Sequence, residues 1–136
     1  MARLGIAEAC SFAGALPYDR MPEAFRCADL FVLPSIATPE WQEQFGMSLI
    51  EAMSCGVPVV STHSGAIPEV AEDAAVLCQP NDFVSLFEAL KELILEPGRR
   101  TELSGLGRRR AEERFSVDHY AKALNTLYAG LLREGA

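Results

Sequence analysis

A parallel α/β sheet is the fold class that the order of apolar segments predicts. Four short apolar runs, Ser11–Gly14 (SFAG), Leu30–Pro34 (LFVLP), Val57–Thr62 (VPVVST) and Ala74–Cys78 (AAVLC), alternate with stretches of helical periodicity. Their hydrophobicity is continuous rather than alternating, as in strands covered on both faces. The expectation is a single three-layer domain over residues 1–136, with about four strands and helices closing its C-terminal part.

SFAG is a weak strand signal; LFVLP and VPVVST are strong ones. Met21–Cys27 suits a short helix with Pro22 in its first turn, where a missing N–H costs nothing. Gly46–Cys55 is a second helix, stopped by Gly56 and then Pro58. Asn81 or Asp82 caps a third, whose Phe83, Leu86, Phe87, Leu90 and Ile94 keep helical spacing until Pro97-Gly98. A fourth runs to about Phe115. The fifth starts at a Ser116 cap and carries a stripe of Val117, Tyr120, Ala121, Leu124, Leu127, Tyr128 and Leu131, read as a packing surface laid back onto the domain.

Composition removes several function classes. A net charge of -7 and a pI near 4.8 argue against nucleic acid and anionic lipid as partners. The four cysteines, Cys10, Cys27, Cys55 and Cys78, are far apart, form no CxxC pair and sit among apolar residues; they read as reduced core residues of a cytoplasmic protein. No apolar run approaches the ~20 residues that span a bilayer, and the N-terminal stretch lacks the long apolar region of a signal peptide. His63 and His119 have no Ser or Cys partner at a diagnostic spacing, which gives a hydrolase no support; His63, after a strand, is a candidate ligand contact and His119 reads as structural.

SGLGRRR at 104–110 lacks the third glycine of a dinucleotide-binding fingerprint and lies in a helical stretch after the last strand. Its arginines, with Arg99 and Arg100, are a candidate phosphate patch, but they alternate with Glu102, Glu112 and Glu113 and read first as a solvated helix face.

Ligands of open parallel sheets bind outside the carboxyl ends of the strands, which selects the loops after Gly14, Pro34 and Thr62. The loop SIATPEWQEQFG delivers the chain into the helix near Gly46. There the first-turn N–H groups of Phe45, Gly46, Met47 and Ser48, with the helix dipole, suit a phosphate or diphosphate. Gly46 would let a ligand approach the backbone closely, or is simply a turn glycine. Glu43 precedes this helix start and Glu51 lies about five residues, or ~7.5 Å, into the helix. Glu51 interrupts an apolar surface of Met47, Ile50 and Met53 with no Lys or Arg nearby in sequence, so it needs a partner. Carboxylates accept from pairs of hydroxyls. A diphosphate with hydroxyls at both ends is a nucleotide sugar. Glu88 and Glu96 repeat the separation on an ordinary amphipathic helix, so context has to carry the assignment.

In context, EQFGMSLIEAMSCGVPVVSTHSGAIPEV resembles the signature of family 4 (group 1) glycosyltransferases, retaining GT-B enzymes that use nucleotide-sugar donors. The resemblance extends from SFAGALPYDRMPEAFRCADLFVLPS to FSVDHYAKALNTLY. It implies that Glu43 contacts the donor hexose and Glu51 holds the nucleotide ribose. The backbone at Phe45, Gly46, Met47 and Ser48 would bind diphosphate or sugar, with Gly14 to Leu16 near the base. No residue is assigned to the chemical step; Glu43 is the candidate for positioning the sugar. In the absence of a D-x-D motif, the resemblance implies no metal and no cofactor besides the donor, with the helix start and basic side chains stabilising the leaving diphosphate.

Members of this family have two Rossmann-like domains, and this chain resembles the later part of the second, a partial Rossmann-like sheet. In the strand order 3-2-1-4-5-6, SFAG then lacks the neighbour it pairs with, leaving rearrangement, self-association or solvent exposure. The expectation is a chain that binds donor weakly if at all and does not transfer sugar alone. The alternatives are a non-catalytic remnant or donor-binding subunit that needs a separate chain carrying the N-terminal domain, and a related GT-B epimerase. UDP- and GDP-sugars are both open. The family commonly builds polysaccharide, lipopolysaccharide or glycolipid, which would place a full-length enzyme at the cytoplasmic membrane face without membrane insertion of this segment.

Overall fold

The computed structural model describes residues 2–134. Three parallel strands, β1 (Phe31–Leu33), β2 (Val59–Thr62) and β3 (Val76–Cys78), form one sheet in the order β1-β2-β3. Val60 of β2 pairs with Val32 on one side and Val76 on the other. Among the described residues six α-helices accompany them: α1 (Met21–Arg26), α2 (Met47–Ser54), α3 (Ile67–Ala71), α4 (Phe83–Leu95), α5 (Pro97–Phe115) and α6 (Val117–Glu134).

The central strand explains the continuous apolar run: all four residues of β2 are buried. Val59 belongs to a cluster with Leu49, Met53, Ile67 and Ala111. Val60, pointing the other way, joins Cys78, Ala89, Leu93 and Leu103. The sheet is therefore enclosed between two helical layers, as its composition predicted.

Three expectations need correction, and one helix had not been expected. SFAG forms no strand. Every described side chain from Arg3 to Arg20 is exposed, and among the described residues no strand runs beside Ser11–Gly14, so its peptide groups have no ladder to join; the sheet has three strands rather than about four. The α6 stripe is open: Val117, Tyr120, Leu127, Tyr128 and Leu131 are all exposed, because α6 packs chiefly against the end of α5. Of the four cysteines, all free, only Cys78 is buried; Cys10 and Cys27 lie on exposed segments. Finally, α3 was not foreseen, its five residues being too short to show a period.

The SGLG run takes a packing role. α5 lies along α2, and a Cβ built on Gly107 would stand 3.1 Å from Met53 Cγ. Ser104 beside it donates to the carbonyl of Gly56 at 2.6 Å, capping the turn after α2. Asp82 caps α4 as expected, accepting from Val84 and Ser85 N–H at 3.0 and 3.1 Å. Those N–H bonds, Ser85 foremost, hold its carboxyl below the ordinary range. Gly107→Leu should overpack the α2–α5 contact and lower the unfolding free energy by about 1–3 kcal/mol in urea denaturation. Wild-type stability in that variant would show that the two helices do not need this close approach.

Candidate functional site

β1 and β2 end side by side, and their exits build one surface. Ser61 donates to the carbonyl of Leu33 at 2.6 Å and Thr62 to that of Ser35 at 2.5 Å, so β2 side chains hold the start of the loop that follows β1. The far end of this loop is held by the turn after β2. Ala66 N–H donates to Glu43 O at 3.1 Å. Gly65, at φ +54°, approaches so closely that a Cβ there would lie 1.8 Å from the same oxygen. The loop from Ser35 to Gly46 is thus tied at both ends to the buried central strand.

Gly46 precedes α2 at φ +76°, a left-handed conformation that any Cβ disfavours. Space does not require glycine here, since a Cβ would meet its nearest neighbours at 3.7 Å. The turn reading of Gly46 is the one its conformation supports. Its N–H donates to Glu43 Oε1 at 3.0 Å, so one of the four N–H groups expected to be free is taken by the loop's own carboxylate. Among the described residues, none accepts from the N–H of Phe45, Met47 or Ser48. Leu49 and Ile50 already donate to Gly46 O. The helix start therefore offers an anion two first-turn donors, Met47 and Ser48, with Phe45 just before them.

Glu51 lies one turn further along α2 and is half-buried. Its partner is Tyr18, whose hydroxyl donates to Glu51 Oε1 at 2.9 Å. This hydrogen bond, followed by the carboxylate's charge, raises the phenol pKa above its ordinary value. Tyr18, Met21, Phe25, Glu51 and Cys55 line a cavity of ≈ 210 Å³ between α1 and α2. The segment containing Gly14 to Leu16 is brought to Glu51 through Tyr18, a residue that sequence reasoning missed. Its only signal was a phenol next to a helix start.

The remaining candidates separate. Phe45 packs edge-on against Phe115, with ring centroids 5.6 Å apart, and Met47 is exposed beside the helix start. His63 is exposed in the turn after β2, while His119 takes the Ser116 cap through its N–H. Arg99 and Arg108 form exposed pairs with Glu102 and Glu112, as a solvated face requires. Arg100 and Arg110 instead cap helix ends, donating to carbonyls of α4 and α3 respectively. No group of three or more His, Cys, Asp or Glu that could hold a metal ion occurs among the described residues.

Comparison with known proteins identifies the family. The family described as glycosyl transferases group 1 matches residues 1–110. The chain belongs to the group 1 glycosyltransferases. It is 30% identical, over 98% of its own length, to the lipopolysaccharide core biosynthesis mannosyltransferase LpsB of Rhizobium meliloti, covering 37% of that protein. Its fold superposes on sucrose-phosphate synthase from Thermosynechococcus elongatus with a TM-score of 0.82 at 25% identity, covering 98% of this chain and 33% of that one. Against Anabaena Alr3699/HepE, solved in complex with UDP-glucose, the TM-score is 0.80 at 26% identity, covering 94% of this chain and 34% of the other. These relatives are GT-B glycosyltransferases, and the group 1 chain described here spans about a third of their length.

The Tyr18–Glu51 bond can be read directly by phenolate absorbance. Ionising Tyr18 would put two negative charges together, so the bond's contribution is present below pH 10 and lost as pH rises through the raised pKa. One of the three tyrosines should ionise above the ordinary range, and Glu51→Gln should bring it back toward 10.0. A titration curve that Glu51→Gln leaves unchanged would break this assignment.

Proposed function

We propose that this chain is the donor-binding part of a retaining hexosyltransferase and takes a nucleoside diphosphate sugar across the start of α2. The observation that carries the reading is the open α2 terminus between Glu43 and Glu51, on a loop tied at both ends to the sheet. The diphosphate accepts from Met47 and Ser48 N–H, where the dipole favours negative charge. Glu51 accepts from the ribose hydroxyls, which take the place of Tyr18, and Glu43 faces the hexose. The HepE relative in complex with UDP-glucose supports this class of ligand.

In this reading the helix start, rather than a divalent metal, stabilises the leaving diphosphate, so EDTA leaves donor affinity unchanged. The acceptor is a glycan or lipid of the polysaccharide type, presented on the cytoplasmic side. No helix among the described residues is long and apolar enough to cross a membrane. Because the relatives are about three times longer, the reaction requires a further domain.

An NMR titration of the ¹⁵N-labelled chain with UDP-glucose tests the reading. The largest shifts should fall on Gly46, Met47, Ser48 and Glu51. Glu51→Ala should weaken binding roughly tenfold or more, the scale of losing a hydrogen bond to a charged group. Shifts confined to other surfaces, or unchanged affinity in Glu51→Ala, would reject it.

A further inference from the structure

The arginine-rich stretch of α5 contains one residue that does not behave as surface. Arg110 is only 12% exposed at its side chain, and its guanidinium reaches across to the end of α3. Nε donates to Val70 O at 2.5 Å, Nη2 to Glu69 O at 2.6 Å, and Nη1 pairs with Glu72 Oε2 at 2.6 Å. Glu72 sits at φ +47°, a conformation an L-residue adopts only under constraint, which turns its carboxylate toward the arginine. A planar fork satisfying two carbonyls and a carboxylate is chemistry that lysine cannot reproduce.

Two routes lead from this clamp to the donor loop. Through α3, the clamped end is one five-residue helix away from Ala66 and Gly65, which support the backbone of Glu43. Through the rings, the guanidinium lies 5.7 Å from the centre of Phe115, whose ring meets Phe45 edge-on at 5.6 Å. Phe45 immediately precedes Gly46. Both routes converge on Glu43–Gly46.

We propose that Arg110 is a positioning residue for the donor site, acting through α3 on Glu43 and through Phe115 on Phe45. The proposal rests on the reading of Glu43–Ser48 as that site. It gives α5, remote in sequence from every motif residue, a part in setting where the helix start presents its N–H groups.

Trp41, the single tryptophan, is held in the same loop by a turn with Thr38, so its fluorescence reports the loop without a label. The test compares wild type, Arg110→Met and Arg110→Lys without nucleotide. It measures Trp41 anisotropy, amide hydrogen exchange, and far-UV circular dichroism as the check on folding. In both variants exchange at Gly46 and Ala66 should accelerate roughly tenfold or more beyond any loss at Val60 and Leu103, whose protection follows global stability alone, and Trp41 anisotropy should fall. Arg110→Lys should retain more global stability than Arg110→Met and yet not restore the loop signals.

A merely structural arginine would lower the melting temperature with Trp41, Gly46 and Ala66 unchanged in the folded baseline, or would speed exchange uniformly. Either result overturns the proposal. Should Arg110→Met fail to fold, Arg110→Lys carries the same comparison. Failure of wild type to bind UDP-glucose would sink the donor reading while leaving this loop measurement intact.

Discussion

Gly65 lies against the carbonyl oxygen of Glu43 with no room for a side chain between them, and Ala66 N–H closes the contact with a hydrogen bond. The carboxyl end of the sheet, where the candidate site lies, depends on this approach. β2 is buried along its whole length, so the turn that follows it is fixed by the core. By touching Glu43, that turn passes the fixed position to a loop that crosses the surface from Ser35 to Gly46. An exposed loop of this length would otherwise sample many conformations, at an entropic cost to any ligand that had to order it. Anchoring both ends to β2 removes much of that cost before a ligand arrives.

The fold was legible where hydrophobic pattern and local chemistry agreed. β2 and α4 each combine a clear apolar run with a local start or stop signal: Gly56 and Pro58 before the strand, the Asn81-Asp82 pair before the helix, of which Asp82 is the cap. SFAG carries the same apolar signal, but a strand is a pairing and not a composition, and no neighbour runs beside it. The α6 stripe has helical spacing and does form a helix. Periodicity reports that one face is apolar, and is silent on what covers it.

At the candidate site, the placement of Glu43, Gly46 and Glu51 around the start of α2 was legible because all three are local to one loop and one helix start. What could not be read was every contact made across the chain. Tyr18 reaches Glu51 over 33 positions, and Arg110 reaches Val70 over 40. Glu51 was expected to need a partner, and a neutral phenol fills that need where sequence proximity suggested only the absence of Lys or Arg. Arg110 was hidden for another reason. It lies within a run of arginines whose other members include exposed partners of Glu102 and Glu112, so composition made it look like surface.

The structure thus joins a rigid central strand to a helix start with open N–H groups through a loop whose far end rests on Gly65 and Ala66, and the assignment of that helix start to a nucleotide sugar depends on its being held in place. Gly65→Ala is the most direct test, because it inserts a methyl group where Glu43 O stands while leaving both carboxylates and every donor N–H present. The measurement is UDP-glucose binding by the folded variant, followed at the amides of Met47 and Ser48. The account predicts that the variant keeps its sheet and helices, moves Glu43 and Gly46, and loses the ligand-induced shifts at α2. Wild-type affinity with unmoved Glu43 and Gly46 amides would contradict it.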